Sequence, residues 1–276
     1  MKAVIAGLGW VTPTSMGCGR DHDRFEWKAG QLPKITRKKG FEKPYPHFGR
    51  LDRFSRLGLT AIAFALKDAG LDRWQQKRPI GLVASTVYGC LDTDVSYFDT
   101  VMHTGGRLAS PNLFAYTLPN SYLGEAAIYF GLTGPSFIIN QARTSDLGSI
   151  RMSLSGMADG QFKTVLSGVS DLKAPPPFEE ARRKACGALF FVIEKSVKEN
   201  RAAYGELGLH PGGRLTFNGY GIENIAMLAQ MCVAQAARPK KPLNLHHAHG
   251  YPVSGFCENG PSVTTPSEQN RNQSAP

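Results

Sequence analysis

Residues 2–11, KAVIAGLGWV, are almost wholly apolar and run into a Thr-Pro turn, the pattern of a buried first strand. From 19 to 50 the pattern breaks: the stretch is polar, punctuated by Pro and Gly, and basic, which predicts a long surface loop. Over 51–71 (LDRFSRLGLTAIAFALKDAGL) apolar positions from Phe54 to Ala69 recur at helical spacing and stop at Gly70. IGLVAS (80–85) reads as a short buried strand, 91–103 as a helix, 104–120 as a loop, and 121–131 as a helix closed by Gly131. GPSFIIN opens another strand. Residues 146–160 follow as a helix rich in Gly, Ser, Ala and Met, suited to close packing. FKTVLSGVSDL (162–172) and ACGALFFVIEKS (185–196) are two more apolar strands. Strands alternating with helices predict an α/β layered fold with a largely parallel sheet. Beyond 200 the signal weakens to a helix over 222–237, a short strand at PLNLHHAHG and a Ser/Pro/Asn/Gln tail (258–276) expected to be disordered.

Composition narrows the class. The chain has 276 residues, 42% hydrophobic and 20% charged, enough for a real core and too balanced for a fibre or a wholly disordered chain. No uninterrupted apolar run is long enough to span a membrane, and the N-terminus lacks the pattern of a signal peptide. Five scattered cysteines without a C-x-x-C pair suggest neither a zinc ribbon nor a disulfide framework, and fit a reducing, cytoplasmic setting. The net charge of +10 points to an anionic partner. Much of it lies early: residues 1–50 hold ten Lys/Arg against four Asp/Glu, with a cluster at Arg37, Lys38 and Lys39.

Five segments, taken in order, resemble the N-terminal half of a β-ketoacyl synthase of the thiolase superfamily. They are KAVIAGLGWVTP, FGRLDRFSRLGLTAIAFALKDAGL, ASPNLFAYTLPNSYLGEAAIYFGLTGPS, GPSFIINQARTSDLGSIRMSLSGMADGQFKTVLSGVSDL and CGALFFVIEKSVKENRAAYGEL. The resemblance implies a thiolase-like layered fold with an essentially complete N-terminal half (1–208), a reduced remnant of the C-terminal half (209–257) and the tail. The family sets its nucleophilic Cys in a Thr-Ala-Cys elbow a fixed distance after Gly-Pro-Ser. Counting from Gly134-Pro135-Ser136 gives Gln141-Ala142-Arg143-Thr144-Ser145-Asp146, with Arg143 in the nucleophile position. Thioester transfer needs a thiolate; a guanidinium stays cationic and offers no lone pair. Arg143 would also stand at a helix N-terminus, where a cation needs an anion beside it. Either it pairs with Asp146, or it and the helix amides hold a carboxylate or phosphate of a ligand.

The family also carries two catalytic histidines in its C-terminal half. His247-Ala248-His249-Gly250 resembles the motif of the first, which places it at His249; nothing later resembles the second. A metal at His246, His247 and His249 lacks acidic or Cys partners, so neither metal nor cofactor is expected. The pocket candidates are therefore Gln141, Arg143, Ser145, Asp146 and His249, and the partner-docking candidates Arg37, Lys38 and Lys39. A first half alone leaves one side of the 146–160 helix bare, to be covered by residues 209–257, a second copy or another protein. The family dimerises through the strand at 134–140, which implies a homodimer or a heterodimer with an active ketosynthase, as in chain-length-factor-like partners, and an acyl carrier protein as a further partner. Three readings stay open. The first is a non-condensing partner subunit in fatty acid, polyketide or aryl polyene synthesis. The second is a residual acyl-thioester binder or malonyl decarboxylase using Arg143 and His249. The third is a structural remnant that binds nucleic acid, although no nucleic-acid motif is present.

Overall fold

The computed structural model describes residues 1–21, 24–43, 45–102, 105–175, 186–196 and 201–237. In chain order its elements are β1 (Lys2–Val11), β2 (Met16–Cys18), α1 (Arg37–Gly40), α2 (Arg53–Asp68), β3 (Ile80–Thr86), α3 (Leu91–Met102), α4 (Pro111–Phe114) and α5 (Ser121–Phe130). There follow β4 (Ser136–Asn140), α6 (Gly148–Ala158), β5 (Thr164–Asp171), β6 (Gly187–Glu194), β7 (Gly205–Leu209), β8 (Leu215–Phe217), β9 (Tyr220–Gly221) and α7 (Ile225–Ala236).

One sheet organises these elements in the order β4-β3-β5-β6-β1-β7-β8-β9, with β2 paired to β1 outside that path. Among the described strands only β3–β4 and β3–β5 pair in parallel; β6 runs antiparallel to both β5 and β1, and β7, β8 and β9 continue antiparallel. The expected largely parallel sheet is therefore a mixed one. Hydrophobic pattern could not reveal this, because β3 and the reversed β6 are both buried along their whole length and read as the same apolar run.

Alternation along the strands makes two cores. Leu82, Ala84, Leu166, Phe190 and Val192 face α2 and α5; Val83, Val165, Val169, Leu189, Phe191 and Ile193 face α6 and α7. The result is a sheet sandwiched between two helical layers, the thiolase-like α/β layering expected. Helix α2 is buried almost all round, at twelve of its sixteen residues. Asp52 starts it by accepting the Ser55 N–H at 2.8 Å, and Gly70, at φ +65°, ends it. It can lie close on β1 because that strand offers glycines: a Cβ on Gly9 would sit 2.2 Å from the Ala65 nitrogen. A register shift between Ile5 and Gly7 keeps both glycines on the α2 side.

The basic stretch 19–50 is not a free surface loop. Phe25, Phe41, Tyr45 and Phe48 are buried; Phe41 and Tyr45 pack on Tyr129 of α5 and Phe48 packs on both of them, so aromatic anchors hold it on the core. Period-based reading missed them because they are isolated in a polar stretch. Residues 215–233 also bury Leu147, Ile150, Leu154 and Met157 in a shared core, so one side of α6 is covered from within the chain. Arg151, Met152, Ser155 and Ala158 remain exposed on α6. Among the described residues no helix is long and apolar enough to cross a membrane. The expected strand at PLNLHHAHG and the tail lie outside the described residues.

Candidate functional site

The C-terminal ends of β3, β4 and β5 meet at one buried carboxylate. Asp171, the last residue of β5 and fully buried, accepts the Thr86 hydroxyl at 2.7 Å, the Val87 N–H at 2.8 Å and the Tyr88 N–H at 3.1 Å on one oxygen. Its other oxygen accepts the Thr144 hydroxyl at 2.9 Å. Burial pushes the Asp171 carboxyl above its ordinary value, against the pull of these donors. Thr86 in turn accepts the Gly89 N–H at 2.8 Å, and its carbonyl takes the Gln141 N–H at 3.0 Å.

The segment 141–147 is therefore pinned from beneath. It is also tied from the side, where the first amide of α7, Ile225 N–H, donates to the Ser145 carbonyl at 3.0 Å. Within it, the Asp146 carboxylate accepts the Arg143 backbone N–H at 3.1 Å, and the Asp146 N–H donates to the Arg143 carbonyl at 3.0 Å. This is a tight elbow closed on itself.

Arg143 and Ser145 are exposed on this elbow, Gln141 and Asp146 half-buried, and Thr144 buried. Four of the five pocket candidates thus come together; His249 lies outside the described residues. Two expectations change. Helix α6 begins at Gly148 rather than 146, so Arg143 sits before its first turn and the helix dipole exerts little on it. Asp146 spends its carboxylate on the Arg143 backbone, and among the described residues no ion pair joins the two side chains. The guanidinium is left to solvent. The Gln141 side chain turns inward instead: its amide oxygen and nitrogen are both buried without a hydrogen-bond partner among the described residues.

The residue that sequence reasoning missed is Asp171. An acidic side chain ending an otherwise apolar strand, VLSGVSD, was the available signal.

Among the described residues no thiol is exposed. Cys18, Cys90, Cys186 and Cys232 are all buried. Burial pushes the Cys18 and Cys90 thiols up to about 12 and raises those of Cys186 and Cys232 as well. Cys257 lies outside the described residues. Among those residues no three His, Cys, Asp or Glu side chains gather as metal ligands. Arg37, Lys38 and Lys39 form the exposed helix α1.

Comparison with known proteins places this architecture. A protein of Streptomyces halstedii named as a candidate polyketide β-ketoacyl synthase is 29% identical over 203 residues, covering 63% of this chain and 47% of the relative. The 3-oxoacyl-[acyl-carrier-protein] synthase 2 of Vibrio harveyi is 28% identical over 153 residues, 55% of this chain and 37% of its own. The chain spans less than half the length of either. Among solved structures, the ishigamide ketosynthase/chain length factor matches with a TM-score of 0.60 at 17% identity, over 75% of this chain and 66% of that one. A ketosynthase in complex with its chain length factor from Xenorhabdus doucetiae matches with a TM-score of 0.53 at 17% identity, over 71% and 80%. A type II polyketide-synthase acyl-carrier protein in complex with its ketosynthase gives 0.59 at 16% identity, over 75% and 67%. At these identities the structures establish the fold. With its layered mixed sheet, its strand-elbow-helix unit and a match of the β-ketoacyl synthase N-terminal domain to residues 34–185, the chain belongs to the β-ketoacyl synthase family.

Proposed function

We propose that this chain is a non-condensing ketosynthase-like subunit that pairs with an active ketosynthase handling carrier-bound acyl chains in fatty acid, polyketide or aryl polyene synthesis. The observation that carries this reading is Arg143 on the elbow where the family resemblance sets the nucleophile. A guanidinium cannot form a thioester, and the elbow beneath it is fully built, so the fold persists without the covalent chemistry.

Two features support pairing. Strand β4 is the sheet edge, its central Phe137, Ile138 and Ile139 only half-buried, so its outer hydrogen-bonding groups face away from the sheet. The α3–α4 arm exposes Phe98, Met102, Phe114 and Leu118, each more than half accessible. Structural neighbours solved with a chain length factor or with an acyl-carrier protein are precedents for the kinds of partner. Arg37, Lys38 and Lys39 would offer cations to an acidic carrier protein.

The test is to purify the tagged chain from its own host and identify what accompanies it. A full-length, cysteine-containing ketosynthase in equal stoichiometry is the expected result; a homodimer joined through 134–140 with no ketosynthase overturns it. The solvent-facing guanidinium favours a second reading, an acyl-thioester binder or malonyl decarboxylase using Arg143 and His249. Turnover of a malonyl thioester that disappears in Arg143→Ala and His249→Ala would establish that reading.

A further inference from the structure

On the helical face away from the elbow, α1 borders a hollow of about 260 Å³ between α2 and α5. Its walls include Phe41, Trp74 and Tyr129, and Lys43, Lys67 and Arg73 line it too. The polar atoms of the two larger aromatics are already committed within the protein. The Trp74 indole N–H donates to the Tyr129 carbonyl at 3.0 Å, and the Tyr129 hydroxyl donates to the Lys43 carbonyl at 3.2 Å. With those atoms committed, the two rings offer the hollow carbon rather than hydrogen-bonding groups, and Phe41, Tyr45 and Phe130 pack around Tyr129 to hold its ring in place. One face of the Trp74 indole is set against Gly131, where a Cβ would come within 2.7 Å of three ring atoms, so the ring is held in place before any ligand arrives.

The rim is charged unevenly. Glu42 is taken up by Arg73 at 2.7 Å, leaving Asp72 as the other acid. Lys43 and Lys67, and Arg37, Lys38 and Lys39 next door on α1, make no ion pair among the described residues. Gly40, the last residue of α1, is itself part of the lining, so the cations of α1 stand directly at the mouth. The volume suits one planar ring system and is too small for a whole cofactor, so a charged extension would have to leave the hollow across α1.

We propose that this hollow binds a nucleoside polyphosphate, its base against Trp74 and Tyr129 and its phosphates on Lys43 and the α1 cations. This goes beyond the pairing proposed above and needs neither a partner subunit nor Arg143. Ring and charge contribute separately: stacking is tolerant of the base, while the cations make binding fall with salt. Whatever acidic molecule docks on α1 would compete with the nucleotide.

Calorimetric titration of the full chain with ADP, adenosine and inorganic tripolyphosphate at low salt tests the idea, with tryptophan fluorescence locating the site. ADP should bind saturably and quench fluorescence, and Trp74→Phe should remove that quench while Trp10 and Trp27 remain. Lys38→Glu with Lys39→Glu, both exposed, should weaken ADP by about tenfold or more and leave adenosine unchanged. The proposal fails if tripolyphosphate binds as tightly as ADP, which would make α1 a bare charge patch. It fails equally if ADP affinity ignores the two lysine substitutions, or if no saturable ADP binding occurs.

Discussion

Replacing Asp171 by Ala should cost the protein much of its stability. The side chain takes four hydrogen bonds in a fully buried setting: two from the hydroxyls of Thr86 and Thr144 and two from the main-chain amides of Val87 and Tyr88. The hydroxyls can rotate toward other acceptors. The amides cannot, because they belong to the main chain itself as it leaves β3. Orphaning a buried donor costs about 1–3 kcal/mol, so the two amides alone set a loss of about 4 kcal/mol. Asp171→Asn keeps an oxygen for both amides and turns an N–H toward Thr144, whose hydroxyl can accept it, so the loss there should be about 1 kcal/mol. Urea unfolding followed by circular dichroism measures both, and the separation between the variants is the decisive quantity. Hydrogen exchange at Val87 and Tyr88 should accelerate in the Ala variant first, since those amides lose their partner outright. If Asp171→Ala costs under about 1 kcal/mol, or if Ala and Asn lose equally, the carboxylate does not hold the elbow and the assignment is wrong.

Other outcomes follow from the same geometry. Gly9→Ala would drive a Cβ against the α2 backbone at Ala65 and Ala61, which cannot yield, and should destabilise by about 3 kcal/mol or prevent folding; an unchanged melting temperature would contradict the packing. Phe114→Glu on the exposed α4 should leave the thermal midpoint of the isolated chain alone and loosen any complex with a ketosynthase by about tenfold in Kd, read by sedimentation. Burial lifts the Asp68 carboxyl above its ordinary value in spite of Arg20 and Tyr204, so the folded chain holds that proton more tightly than the unfolded one. Its contribution is therefore greatest below the ordinary carboxylate value and falls as pH rises through the lifted one. Asp68→Asn should flatten that part of the stability profile, and a steeper profile in the variant would sink the argument.

The longer strands and helices up to β6, and α7, were legible because each carries an apolar run or period, and boundaries such as Gly70 and Gly131 fell where left-handed backbone demanded glycine; β2, β7, β8, β9 and the one-turn α1 and α4 carry no such signal and went unassigned. Strand direction was not legible, since doubly buried strands look alike whichever way they run. Nor was the anchoring of the basic segment: Phe41, Tyr45 and Phe48 are spaced by no regular period, and only the core they share with α2 and α5 gives them a common destination. At the elbow, counting from Gly134 put Arg143 between a strand and a helix, where the structure has it, but its surroundings depend on contacts distant in sequence. Asp171 lies well beyond the elbow and Ile225 further still. The Asp146 carboxylate had two plausible donors, a guanidinium and an amide, and local backbone geometry chose the amide.

The two ends of the sheet are unequal, and this bears on how large an assembly can grow. At one end β4 offers five residues, the central three of them apolar; at the other β9 is two residues long and its Tyr220 juts into solvent. A strand that short gives an incoming chain almost no ladder to extend. Two molecules joined back to back through β4 would therefore carry a blunt β9 at each outer end, and growth along the sheet would terminate at the pair rather than propagate into a fibre.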